Sequence, residues 1–80
     1  MTGSRMLTWS DGETIRVGQE LTYITGKNES HCEADVTVTE VGMAGCMVSI
    51  DRVLSQGVKN TLRVGENLSA GWSELEIDTP

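Results

Sequence analysis

The sequence predicts an all-β domain, a small barrel or sandwich of about five short antiparallel strands. Three observations predict it. Short runs of β-branched and aliphatic residues alternate with polar ones, turn residues separate these runs at short intervals, and helix signals are weak throughout.

The clearest run is Ala34-Asp35-Val36-Thr37-Val38-Thr39-Glu40-Val41. Val36 and Val38 share one face and Thr37 and Thr39 the other, the period-2 pattern of a half-buried strand. The alternation breaks at Glu40-Val41, which predicts a bulge or the approach to a turn. Gly42-Met43-Ala44-Gly45 then reads as a loop. Cys46-Met47-Val48-Ser49-Ile50 alternates again, so the two runs form a hairpin. Upstream, Thr14-Ile15-Arg16-Val17 and Glu20-Leu21-Thr22-Tyr23-Ile24-Thr25 read as strands flanking Gly18-Gln19. Gly26 through Glu33 is a polar connection. Asn60-Thr61-Leu62-Arg63-Val64 is a further strand candidate, and Glu74-Leu75-Glu76-Ile77-Asp78 a last one with Leu75 and Ile77 inward. Ser49 to Val58 has room for a single helical turn or a loop, with Gly57 as its stop. Residues 1–5 are set aside as a disordered leader or a cloning remnant, which leaves residues 6–80 as one small β domain.

One internal echo stands out. Thr14-Ile15-Arg16-Val17-Gly18-Gln19-Glu20-Leu21-Thr22 resembles Thr61-Leu62-Arg63-Val64-Gly65-Glu66-Asn67-Leu68-Ser69, 47 positions downstream. Its physical content is a strand ending at a glycine able to take φ > 0, a polar turn, and re-entry to the core at a leucine. It reads as one turn solution used twice, or as a relic of duplication.

At 80 residues the chain is one domain with a thin core; a domain this short buries only roughly 60–65% of its unfolded surface. There is no Phe, and Trp9, Tyr23 and Trp72 are the only aromatics. Self-association is one way to hide more apolar surface. Twelve acidic residues against six basic ones give a formal net charge of −6. Nucleic-acid affinity comes from cationic side chains that displace counterions from phosphates, and an anionic membrane surface asks for the same. The six here are scattered, so both partners are disfavoured. Two cysteines, no signal-peptide pattern and no membrane-length apolar run predict a cytoplasmic address.

No enzyme motif emerges. His31 and Cys32 are adjacent, and neighbours on an extended chain point to opposite faces, so they are badly placed as a base and nucleophile. With Cys46 they would still need a carboxylate to make a metal site, and no Cys-x-x-Cys exists. His31 reads as a solvated loop residue and Cys46 as a small core residue, with a Cys32–Cys46 bridge open outside the cytosol. The carboxylates Asp11, Glu13, Glu20, Glu29, Glu33 and Glu66 fall at turns and strand ends, and nothing places two of them in an apolar pocket. Gly42-x-x-Gly45 lacks the following helix of a phosphate loop. No cofactor and no metal are expected.

Surface features remain. Trp9, Tyr23 and Trp72 are residue types that dominate binding hot spots, though a chain without Phe also needs them inside. Met43 is a candidate exposed apolar contact. Arg16 and Arg63 hold matching places in the echo and are the candidates for a shared polar contact.

The hairpin, Val36 through Ile50, resembles the central hairpin of the carbon storage regulator family. Gly12-Glu13-Thr14-Ile15-Arg16-Val17-Gly18 resembles that family's first turn and second strand, and Met6-Leu7 its start. The resemblance implies a strand-swapped β dimer that binds RNA. This chain departs from it at Trp9-Ser10-Asp11, where the family has a basic pair, and by about 18 extra residues between the matching pieces. The order of an apolar strand, Val17-Gly18, a polar pair, Leu21-Thr22-Tyr23, a polar loop and Ala34 through Val38 resembles SH3-like small barrels. That likeness names a fold type and not a function. The expectation is a non-catalytic protein-interaction module, of the kind found as accessory or phage-type inhibitors that dock on a larger protein through an acidic surface. The alternative is an RNA-binding dimeric regulator with Arg16 and Arg63 on one basic strip.

Overall fold

Val36 and Val38 sit at the centre of the molecule, and the rest of the sheet grows outward from them. The computed structural model describes residues 3–59 and 61–79. The strand that carries the two valines, β3 (Cys32–Val41), buries Cys32, Ala34, Val36 and Val38 and turns the residues between them to the other face. It forms the expected hairpin with β4 (Gly45–Gln56). The remaining strands are β1 (Gly3–Met6), β2 (Glu20–Thr25), β5 (Asn67–Gly71) and β6 (Leu75–Thr79). All six pair antiparallel in one sheet of order β1-β6-β2-β3-β4-β5. A 3-10 turn of three residues, η3 (Trp72–Glu74), carries the chain from the β5 edge to β6 near the opposite edge. So short a link requires a strongly curled sheet, and the architecture is an all-β half-barrel.

The inner face is aliphatic. Val36, Val38, Val48, Ile50 and Leu75 are all at most 1% exposed, and each such burial stabilises the fold by about 1.5–3 kcal/mol. Three extra residues bend the hairpin around this core: Thr39 in β3, and Asp51 and Leu54 in β4, none of which has a cross-strand partner. Each bulge sharpens the local twist and re-aims a side chain. Among the described residues no helix is long and apolar enough to cross a membrane.

Several sequence expectations are corrected. Thr14 to Val17 is not a strand: Thr14 caps the 3-10 segment η1 (Trp9–Glu13), Ile15 is a buried plug, and Arg16 opens a turn. The strand candidate Asn60 to Val64, described from Thr61, is likewise irregular chain that leads into a turn at Val64-Gly65, and Asn60 lies outside the described residues. A turn tip carries few ladder bonds, so β-branched composition alone overcounted the strands there. Ser49 to Gln56 is the continuation of β4, not a helical turn, because β3 offers partners as far as Cys32↔Gln56. Gly3 to Arg5, set aside in the sequence reading, are part of β1 and pair with the end of β6.

The echo is the same turn built twice. In Arg16-Val17-Gly18-Gln19 and Arg63-Val64-Gly65-Glu66 the glycines have φ of +93° and +89°. The fourth residue donates its N–H to the arginine carbonyl at 3.1 and 3.0 Å. Its side-chain carbonyl or carboxylate oxygen accepts the arginine N–H at 3.2 and 3.3 Å. Both turns clamp the central hairpin. Gly18 N–H donates to the Val38 carbonyl at 2.8 Å and Val38 N–H to Gln19 at 2.9 Å; Gly65 N–H donates to Ile50 at 2.7 Å and Ile50 N–H to Glu66 at 2.9 Å. With Val36 opposite Ile50 and Val38 opposite Val48, a local two-fold through the Thr37–Ser49 pair exchanges the two clamps. A Cβ at either glycine would meet nothing within 4 Å, so Gly18→Ala and Gly65→Ala test backbone strain alone. Each is expected to cost about 1–2 kcal/mol, with equal losses in urea denaturation. A neutral Gly18→Ala would contradict the left-handed turn.

Candidate functional site

The outer face of the sheet is polar. Residues at alternate positions to the core point there: Thr22 from β2, Asp35 and Thr37 from β3, Ser49 from β4 and Glu76 from β6. Thr22 lies opposite both Asp35 and Glu76, and Asp35 lies opposite Arg52, so one row crosses four strands. The bulge at Asp51 adds a further carboxylate, which accepts a hydrogen bond from the Thr37 hydroxyl. The result is a groove of about 360 Å³ lined by Glu20, Leu21, Thr22, Asp35, Asp51, Arg52 and Glu76. Four carboxylates face one guanidinium. The sequence places Glu20 at the start of a strand, where it is found, and offers Asp35 only as a carboxylate for a metal set; it does not single out Asp51 or Glu76. Asp35 and Glu76 are the outward members of alternating runs, a signal present in the sequence once strand neighbours are known. Asp51 had no such signal, because a bulge delivers it.

Asp11 is the one buried charged residue among the described residues. Its carboxylate accepts from both terminal nitrogens of the Arg5 guanidinium (Nη2 at 2.7 Å and Nη1 at 3.1 Å), from the Thr8 N–H (2.7 Å) and from the Thr8 hydroxyl (3.2 Å). The Arg5 hydrogen bonds and then the Thr8 N–H hold this carboxyl far below the usual carboxylate range. A carboxylate locked in its charged form neither gives nor takes a proton near neutral pH. Asp11 is therefore a latch between β1 and η1. Its folded-state pKa lies below the unfolded one, so its contribution to stability is full above about pH 4 and is lost as the pH falls below that value. Asp11→Asn is expected to lower stability at neutral pH and to flatten the acid limb of the stability curve. Denaturation midpoints of both proteins across this range check it.

The aromatic candidates separate into two groups. Tyr23 and Trp72 are in the core, 8% and 5% exposed, so their rings are packing elements rather than a contact surface. Burial and then the Glu74 carboxylate raise the pKa of the Tyr23 phenol. Glu74 itself accepts hydrogen bonds from the Thr25 hydroxyl and the Gly71 N–H. Trp9, in contrast, is 80% exposed and Met43 95%. Both belong to one end of the molecule, and Trp72 holds that end together. Its indole N–H donates to the Met43 carbonyl at 3.1 Å, and the neighbouring ring edge lies against Gly12, where a Cβ would stand 3.1 Å from Cζ2. The hairpin tip and η1 thus meet at one edge of the indole. With three residues per 3-10 turn, Trp9 stands one turn from Gly12 on the same side of η1. Beside the tip, a second groove of about 410 Å³ has walls that are mostly small: Gly42, Ala44, Gly45, Ala70 and Gly71, with Glu40, Cys46, Met47 and Ser69.

Arg16 and Arg63 are exposed on the two clamp turns, on opposite flanks of the β3–β4 hairpin. Their tip neighbours Val17 and Val64 are also exposed, at 65% and 68%. His31 reaches Glu33 at 3.1 Å, while Cys32 points into the core. Cys32 and Cys46 are both buried free thiols. They pair with Gln56 and Val41 respectively, at opposite ends of the hairpin, so no bridge joins them. Burial raises the pKa of the Cys46 thiol, which keeps it protonated and unreactive. Among the described residues no group of three or more His, Cys, Asp or Glu side chains is placed to hold a metal ion. No protein-family model, curated protein or solved structure matches this chain.

Proposed function

We propose that this chain is a non-catalytic docking module that binds a basic surface of a larger protein through the acidic groove of its outer face. The observation that carries the reading is the convergence of Glu20, Asp35, Asp51 and Glu76 on one groove with Arg52. Its sharpest form is an inhibitor whose carboxylates occupy the nucleic-acid-binding site of its partner, as an accessory or phage-type protein would. A cationic partner surface is the complement of such a groove, and complementary fields steer association and set its salt dependence. The buried thiols suit a reducing, cytoplasmic compartment.

The test is capture of the partner from lysate of the source organism with and without nuclease, followed by a binding titration at low and high salt. Affinity is expected to fall steeply with salt. Glu20→Gln and Asp35→Asn should each weaken binding, roughly a few-fold, and make the salt dependence shallower. A salt-independent affinity would sink the reading. So would captured RNA that disappears on nuclease treatment, which would favour the RNA-binding regulator instead. That alternative draws on Arg16 and Arg63, and their places on opposite flanks of the hairpin do not favour a single basic strip.

A further inference from the structure

We propose that the twin tips Arg16-Val17 and Arg63-Val64 form one bivalent docking site for a two-fold symmetric protein partner, with each guanidinium seated against a carboxylate beside an apolar pocket on one of the partner's two subunits. None of the four residues lines the acidic groove, and three observations carry the site.

The first is what the fold leaves unused in the echo. Ile15 and Leu21 are buried, and Leu62 and Leu68 pack against the same core. The glycines supply the left-handed turn, and Gln19 and Glu66 close it on the arginine N–H. The arginine and valine side chains do none of this. Val17 and Val64 are 65% and 68% exposed, and both arginines are exposed. Among the described residues no acceptor lies within ion-pair or hydrogen-bond distance of either guanidinium. The same cation and the same branched apolar group therefore recur at two tips where the fold needs neither.

The second is symmetry. The local two-fold through the Thr37–Ser49 pair exchanges the two clamps, so the tips present the same groups in the same relation to one axis. Gln19 and Glu66, the closing residues of the turns, stand in the lines of β2 and β5, three strand spacings or about 14 Å apart across the sheet. A two-fold homodimer presents every surface patch twice about its own axis. One guanidinium and one valine are too small a contact to hold a protein. Two such contacts on a shared axis make the second one intramolecular, which raises affinity by about 10²- to 10⁴-fold with no new chemistry.

The third is charge, which selects the partner. A guanidinium pairs bidentately with a carboxylate or a phosphate. Duplex nucleic acid also offers anions about a two-fold, but the axis here leaves the sheet beside Glu20, which faces Thr37, and Asp51, which bonds to it. Phosphates brought onto that axis would meet these carboxylates. A second copy of this chain would bring the same carboxylates together, on molecules that each carry a net charge of −6. A protein carboxylate next to an apolar pocket meets the guanidinium and the valine at once.

The test uses two baits in nuclease-treated lysate of the source organism: the full chain and its Arg16→Glu/Arg63→Glu double variant. The expected result is a protein retained by the first and lost from the second. Sedimentation velocity of the purified complex should then give one chain per partner dimer. Arg16→Glu and Arg63→Glu singly should each weaken binding about a hundredfold, by matching amounts although they lie 47 positions apart. Val17→Ser and Val64→Ser should likewise weaken it equally. Lys27→Glu makes the same charge change at an exposed lysine beyond the other end of β2, and should change affinity by no more than about threefold. All these side chains are exposed, so the thermal midpoint should not move. No protein distinguishing the two baits, one chain per partner subunit, unmatched single losses, or a Lys27→Glu loss as large as theirs would each overturn the site. RNA that the arginines retain from untreated lysate would replace the protein partner and overturn the site as stated. Salt dependence and the variants Glu20→Gln and Asp35→Asn read the acidic groove instead, so either site can fail alone.

Discussion

Trp72→Ala is expected to remove about 3–5 kcal/mol of stability. A domain of this length has roughly 4–12 kcal/mol in total, so the variant is marginal or unfolded at room temperature. The loss has two parts. The ring is 5% exposed and seals the core where β5 turns into β6. Its indole N–H also fixes the hairpin tip through the Met43 carbonyl. Trp72→Phe separates the two: it keeps most of the ring and loses the donor, at a cost of about 1 kcal/mol. The thermal midpoint of Trp72→Ala should drop by roughly 15–30 °C, and that of Trp72→Phe by a few degrees. Fluorescence offers a second reading. Trp72 is buried and Trp9 is not, so Trp72→Phe should leave only red-shifted, solvent-exposed emission. A Trp72→Ala protein with a wild-type midpoint would remove Trp72 from the core.

Gly45→Val is expected to be comparably damaging, for a different reason. Gly45 faces Gly71 across the β4–β5 pair. A Cβ there would lie 2.0 Å from the Ala70 carbonyl oxygen and 2.8 Å from the Gly71 Cα. Those atoms are backbone and cannot rotate away, so β5 must separate from β4. The cost is at least about 3 kcal/mol. Amide exchange should rise through Asn67–Gly71, the β5 segment, before it rises in β3. Gly42→Ala provides the contrast. Its Cβ would approach the Gly45 carbonyl at 3.3 Å, a contact that a small shift relieves, and less than about 1 kcal/mol is expected. Equal effects at the two glycines would mean that the β4–β5 approach is not the constraint.

The two variants illustrate how unevenly the sequence exposes its own structure. Strict alternation around Val36 and Val38, and again at Leu75 and Ile77, depends on nothing beyond the pleat of a strand. The hairpin, its loop and the inward faces are legible from it. The echo was legible too, as a shared glycine turn, because a left-handed glycine followed by a polar acceptor is a local solution. Its flanking segments were misread as strands, since β-branched residues suit a clamp as well as a ladder.

Burial of a particular aromatic was not legible. Trp9 and Trp72 have similar local settings, each beside serine and near glycine or aspartate. One is covered by Gly12 and the hairpin tip while the other stands in solvent, and that difference depends on segments far away in the chain. Asp11 needed Arg5, from a segment the sequence reading had set aside, before its carboxylate had a partner. The acidic groove draws on β2, β3, β4 and β6, and one of its carboxylates arrives through a bulge. The sequence alone determined the all-β class, the central hairpin, the twin glycine turns and the acidic balance, because each follows from local backbone preference or from counting. Tertiary structure alone decided which aromatics are core, where the carboxylates converge and which apolar side chains are left in water, because each depends on which distant strands the curl of the sheet makes neighbours.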